Sequence, residues 1–216
     1  MIRFLYADQL ADYPKLLATI FKDRADQFHT RLGWEVTVDE NGEERDEYDD
    51  LNPLYVIWER PDGTHGGSMR LLPTTGRTMV NEHFTDIIGG GTIESPLIWE
   101  CTRFCLSRET CPGTAAALML AGGEIMKNMN VSHYVGVFDA RMVRIYKRIG
   151  SSPEVLGSMG EGRSRISVGL WEFTADAQAK VAASAGITPE MTARWFRMSF
   201  GKNSRDYAAR SGEVAA

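Results

Sequence analysis

Glu100 stands in the run Ile98–Leu106, IWECTRFCL, between Trp99 and Cys101. A carboxylate among apolar and aromatic neighbours loses hydration and becomes a stronger base, which suits it to general-base work. Arg103 follows in the same run, and Arg24 and Arg70 lie in RADQFHTRLGWE and GSMRLLPT. A guanidinium stays charged and clasps a carboxylate through two parallel hydrogen bonds, so one of the three can hold a substrate acid while the others serve as scaffold. The acids to pair with them are concentrated in one place. Nine lie between Glu35 and Asp50 against Arg45 alone, whereas the rest of a chain of net charge −5 has three more bases than acids. Such a run is ordinarily a solvated loop; it also attracts a cationic ligand and can fold over it. Phe28 and Trp34 add aromatic surface, and Trp34 lies in a polar segment where an aromatic needs something to cover.

These groups need positioning. Ile2–Tyr6 alternates as a strand, and Tyr13, Leu16, Leu17, Ile20, Phe21, Arg24 and Phe28 recur at helical spacing, which puts Arg24 and Phe28 on one face near the helix end. Residues 37–52 read as a loop. Strands at 54–59 and 67–72, joined through Pro61, Asp62 and Gly63, form a hairpin. A strand at 98–106 precedes a helix opened by Pro112, Gly113 and Thr114 and ending near Asn128. A strand at 134–138, a basic helix at 140–148 and a strand at 165–173 follow. Thr188 and Pro189 start a last helix. A strand-rich first half followed by strand-helix-strand units predicts a mixed sheet with helices on both faces.

Four blocks in order, RADQFHTRLGWE, RDEYD, GSMRLLPT and ECTRF, resemble the acyl-homoserine lactone synthases, the autoinducer synthases of bacterial quorum sensing. The resemblance covers roughly the first half of the chain. It implies an α/β, single-domain N-acyltransferase-like (GNAT-like) α-β-α sandwich with a mixed, mostly antiparallel sheet. The implied reaction joins the acyl group of a thioester to the amine of S-adenosylmethionine, after which the homoserine part closes into a lactone and methylthioadenosine leaves. Glu100, Asp46 and Arg103 are then the catalytic candidates, with Glu100 as base unless a water held by backbone carbonyls takes its place. Arg24, Phe28, Trp34, Asp49, Arg70, Thr102 and Phe104 are the substrate-binding candidates. Phe28 and Trp34 wall the adenine and amino-acid pocket, and Asp46 and Asp49 bind the amine and sulfonium or orient Arg24 and Arg70. S-adenosylmethionine is a substrate here, and no cofactor or metal is expected.

The resemblance leaves the acyl donor open between an acyl carrier protein and acyl-CoA. Arg141, Arg144, Lys147 and Arg148 share a short helix at spacings of three and four, a face that would steer an acidic carrier. The superfamily's Arg-x-x-Gly-x-Gly/Ala pyrophosphate loop is matched only by Arg108 to Gly113-Thr114-Ala115, with a longer spacing. Residues 1–110 are expected to form the S-adenosylmethionine half, 111–200 the acyl-donor half and 201–216 a flexible tail of one domain. Pocket depth for the acyl chain would depend on Met119, Met126, Val137, Met142, Leu156 and Trp171. Rival readings are an acyl-CoA N-acyltransferase acting on another amine and a non-catalytic ligand-binding homologue. Composition bounds the rest: 216 residues with 43% apolar content suit one domain. Three cysteines without pairing partners point to a reducing cytoplasm. No stretch approaches the length of a membrane span. The basic end, with Arg194, Arg197, Lys202, Arg205 and Arg210, reads as a solvated helix and tail rather than a nucleic-acid contact.

Overall fold

In the computed structural model, residues 1–201 are described; Lys202, Arg205, Arg210 and most of the expected tail lie outside them. Seven strands form one sheet in the order β1-β2-β3-β4-β5-β7-β6: β1 (Ile2–Tyr6), β2 (Leu54–Glu59), β3 (His65–Pro73), β4 (Ile98–Leu106), β5 (His133–Asp139), β6 (Glu154–Met159) and β7 (Ile166–Trp171). Every neighbouring pair is antiparallel except β4 with β5. The sheet is thus mixed and mostly antiparallel, as expected.

Helix α1 (Pro14–Ala25) covers β2 and β3 on one face, where Leu16, Ile20 and Phe21 meet Tyr55 and Ile57. Beside it α2 (Met79–His83) lays Val80 on Val135 and Val168. The other face carries α3 (Thr114–Asn128) and α6 (Pro189–Phe200). There Leu118, Ala121, Ile125 and Phe196 close over Ile2, Phe4, Leu54, Val56, Met69 and Leu71. Alternation along each strand sends one residue set to each layer, which makes the sandwich. Behind α3 pack α4 (Ala140–Ile149) and α5 (Ala175–Ala185) through Ile149 and Val181.

Three elements differ from the sequence reading: α2, β6 and α5 have no counterpart in it. Residue 65 precedes the expected strand at 67–72, yet His65 opens β3 fully buried. Its Nδ1 lies 2.7 Å from Asp23 Oδ2 and its Nε2 2.9 Å from Ser68 Oγ, which fastens α1 to the sheet. Ser68 is itself buried, so this Asp-His-Ser chain is packing rather than a nucleophile. Of the residues named for the acyl pocket, Met126 and Trp171 belong to the main core, Met119 and Val137 to two other clusters, and Leu156 is exposed. Among the described residues, no helix is long and apolar enough to cross a membrane.

Candidate active site

The chain after α1 tightens the site. Asp26–Arg31 forms a π-helical turn, which carries Phe28 inward with 2% exposure. Gln27 and Arg31 in this turn donate to the carbonyls of Phe104 and Leu106 and tie it to β4. Trp34 stacks on Phe28 with ring centroids 5.3 Å apart and planes 12° from parallel, and it keeps 41% exposure. Arg103 approaches the Phe28 ring at 5.6 Å. One aromatic is therefore an inner wall and the other a face open to a ligand.

The acid-rich segment folds back over the sheet and pairs with all three arginines. Arg24 donates from Nε to Glu44 at 2.6 Å and from both terminal nitrogens to Asp49 at 2.9 Å. Arg70 binds Asp46 and Asp49, and its Nε donates to Thr102 Oγ1 at 3.1 Å. Arg103 meets Glu44 at 3.0 Å and Asp46 at 2.7 Å. Tyr55 adds a hydroxyl donor to Asp49. Burial by itself would raise the Asp49 carboxyl, but the Arg24 hydrogen bonds and charge, with Arg70, hold it well below the ordinary carboxylate range. Asp46 and Asp49 thus pair with the arginines. Arg24 and Arg70 are fully buried behind these acids. Arg103, 10% exposed at its side chain, is the reachable one.

Backbone strain puts Arg103 there. Its φ is 50°, a left-handed conformation that side chains other than glycine adopt at a cost of about 1–2 kcal/mol. The β3–β4 register slips at the same place, with Ser68 opposite Cys105 but Arg70 opposite Thr102. This bulge lets Thr102 and Arg103 face the acids together. It also turns Phe104 to the opposite face, where its ring packs on the main core and away from the acids with which the sequence grouped it.

Glu100 lies on the acid side, fully buried. Its Oε1 accepts from Val80 N at 2.6 Å and its Oε2 from Met79 N at 3.1 Å. Glu100 makes no ion pair among the described residues, so it is not a structural partner of Arg70 or Arg103. Burial pushes its carboxyl up to about 7, against the pull of the two amides and the Arg70 charge. Met79 joins the two parts of the site, because its sulfur also accepts weak contacts from Arg70 and Arg103. Cys101 next door is pushed up to about 12, by burial first and by the Glu100 charge second, which makes it a poor nucleophile.

Glu100 is also the last β4 residue paired with β5. The parallel ladder covers only Ile98–Glu100 against His133–Val135, and the strands then separate. Gly136 sits at the fork, where a Cβ would stand 2.9 Å from the Cys101 carbonyl. The buried Glu100 carboxylate thus stands where the β4–β5 ladder ends.

On α4, Arg141, Arg144, Lys147 and Arg148 are all exposed. Arg141 is already paired with Asp139, the N-cap of the helix, whereas the other three have no ion pair among the described residues. Arg108 pairs with Asp26 through Nε and one terminal nitrogen, and Gly113 packs against the Ala185 carbonyl at the end of α5. Glu47, Glu82 and His83 bring ligand atoms within 4.8 Å of one another at the surface, but Arg77 and Tyr48 already occupy Glu82.

The sequence missed Glu44, fully buried at the centre of the network, which it counted among the solvated acids. It also missed α2, which holds Glu100.

The autoinducer synthase family profile matches residues 8–181. An acyl-homoserine-lactone synthase of Rhizobium etli is 38% identical over 183 residues, which is 82% of this chain and 86% of that protein. Among solved structures, the synthase LasI superposes with a TM-score of 0.73 at 26% identity, covering 85% of this chain and 95% of that one. The CoA-dependent synthase BjaI, solved with SAM and isopentyl-CoA, superposes with a TM-score of 0.75 at 22% identity, covering 87% and 90%; at that identity it speaks for the fold alone. With four sequence blocks converging on one buried network and a buried carboxylate at the strand fork, this chain belongs to the autoinducer synthase family.

Proposed function

We propose that this chain is an acyl-homoserine-lactone synthase that acylates the amine of S-adenosylmethionine from an acyl thioester. The observation that carries the reading is Glu100, a buried carboxylate raised to about 7, at the point where β4 and β5 part and beside the closed acid–guanidinium network. The α-amino group is largely protonated at neutral pH, so a base must act first. Glu100 takes a proton from the ammonium, the nitrogen adds to the thioester carbon, and the carbon–sulfur bond breaks as the nitrogen's second proton passes to the departing thiolate, which leaves as the carrier thiol. The substrate carboxylate then closes on the carbon bearing the sulfonium, which expels methylthioadenosine. The open face of Trp34 suits a sulfonium cation, and Arg103 is the guanidinium within reach of the carboxylate. No cofactor enters this sequence. Residues 1–110 hold the S-adenosylmethionine side, 111–200 the donor side, and the setting is the cytoplasm.

Incubating the purified protein with S-adenosylmethionine and a panel of acyl thioesters tests the reading by mass spectrometry. Acyl-homoserine lactone with equimolar methylthioadenosine is expected; a different acylated amine, or no turnover with any donor, would reject it.

For the donor, the unpaired cations Arg144, Lys147 and Arg148 favour an acidic acyl carrier protein, and Arg163 and Arg165 on the adjoining β6–β7 turn are exposed as well. The double variant Arg144→Glu, Arg148→Glu is expected to raise the Michaelis constant for a carrier-bound thioester severalfold, as two steering charges are reversed. A CoA thioester should be affected far less, and salt should weaken the wild-type reaction with the carrier. Equal effects on both donors would remove α4 as the docking face.

A further inference from the structure

Two buried side-chain atoms among the described residues lack a hydrogen-bond partner: Trp171 Nε1 and Thr78 Oγ1. Thr78 is fully buried and is the N-cap of α2, with φ −144° and ψ 150°. A threonine at that position ordinarily accepts from a backbone N–H of the first turn. Here it makes no such bond, and the Glu100 carboxylate accepts from the Met79 and Val80 amides instead. The fold therefore gains nothing from this hydroxyl. Valine has nearly the same shape and would carry no burial penalty for an unused polar atom.

Thr78 directly precedes Met79, whose N–H reaches Glu100 Oε2 at 3.1 Å. Covalent geometry keeps Thr78 Oγ1 within roughly 7 Å of that oxygen, close enough for one substrate atom to lie between them. Each Glu100 oxygen accepts one backbone hydrogen bond, and a carboxylate has about four lone-pair sites, so it still has room for a proton.

We propose that Thr78 Oγ1 accepts one N–H of the substrate amine while Glu100 removes a proton from the same nitrogen. This rests on the reading of the protein as an S-adenosylmethionine acyltransferase and adds a second contact to its reacting atom. The proton passes from nitrogen to Glu100; Thr78 keeps its own proton and fixes the direction of the lone pair as it forms. The hydroxyl is unpartnered because its partner is the substrate.

The variants Thr78→Val and Thr78→Ser separate this role from packing. Thr78→Val should unfold at the wild-type temperature or higher, since no bond within the protein is lost. Its kcat/KM for S-adenosylmethionine should fall about tenfold, the scale of one hydrogen bond, and Thr78→Ser should recover most of it. Calorimetric binding gives a readout independent of turnover. The valine variant should bind S-adenosylmethionine more weakly than wild type, and both should bind the analogue lacking the α-amine equally. Unchanged kcat/KM in Thr78→Val, failure of serine to restore it, or equal weakening towards both ligands overturns the role of Thr78 alone. Failure of the wild type to bind S-adenosylmethionine at all overturns the acyltransferase reading and this role with it.

Discussion

Replacing Glu100 by Gln is expected to lower lactone formation by about a hundredfold or more, the usual scale for loss of a general base. The amide keeps the volume but cannot take the proton. It also points an NH2 at one of the two backbone donors that Glu100 now accepts from, Met79 N or Val80 N, so a modest loss of stability accompanies the catalytic loss. The pH dependence has a fixed sign. Burial pushes Glu100 up to about 7, so the base form predominates above that value and is lost below it. Wild-type kcat/KM should therefore rise with pH through about 7 and level off, and the Gln variant should lack this limb. A Gln enzyme with wild-type turnover, or one that keeps the limb near 7, would remove Glu100 as the base.

How far the site could be read from the sequence depended on the range of the interactions. The strand at 98–106 and the helix opened at Thr114 were legible because period and capping are local signals. Arg24 and Phe28 were placed on one inward face, and both are buried, although the last turn is π-helical rather than α-helical. Glu44 was not legible. Its partners Arg24 and Arg103 lie 20 and 59 positions away, and nothing within GEERDEYDD distinguishes a carboxylate that meets a guanidinium from one that meets water. The bulge at Arg103 was hidden for the same reason, since ECTRF contains no glycine to announce a left-handed residue. Helix α2 has five residues, too few for a period to show. Strand β6 is exposed along most of its length and α5 buries only Val181, so neither carries the apolar stripe that a reader of sequence looks for.

Replacing Glu44 by Ala is expected to be the most destabilising single change in the site. Glu44, Asp46 and Asp49 balance Arg24, Arg70 and Arg103, so the enclosed network is neutral as folded. The Glu44 side chain is 0% exposed and that of Arg24 1%, so neither can turn to water when its partner is lost. Removing one member of a buried pair costs about 3–5 kcal/mol because the remaining charge is left uncompensated. For a domain of this size that corresponds to a fall in Tm on the order of 10 °C. Activity should fall as well, because Arg103 is held in its strained conformation by Glu44 and Asp46, and release of one anchor lets its guanidinium leave the site. Glu44→Gln should be milder in stability, since it keeps one acceptor. Acid acts on the same network through Asp49, whose carboxyl is held below its unfolded value. Its stabilisation is complete above the unfolded value and is lost only as pH falls through the lower, folded one. Thermal melts of the alanine variant, followed by circular dichroism at neutral pH, decide the point: an unchanged midpoint would mean that Arg24 and Arg103 do not depend on Glu44 for their charge balance.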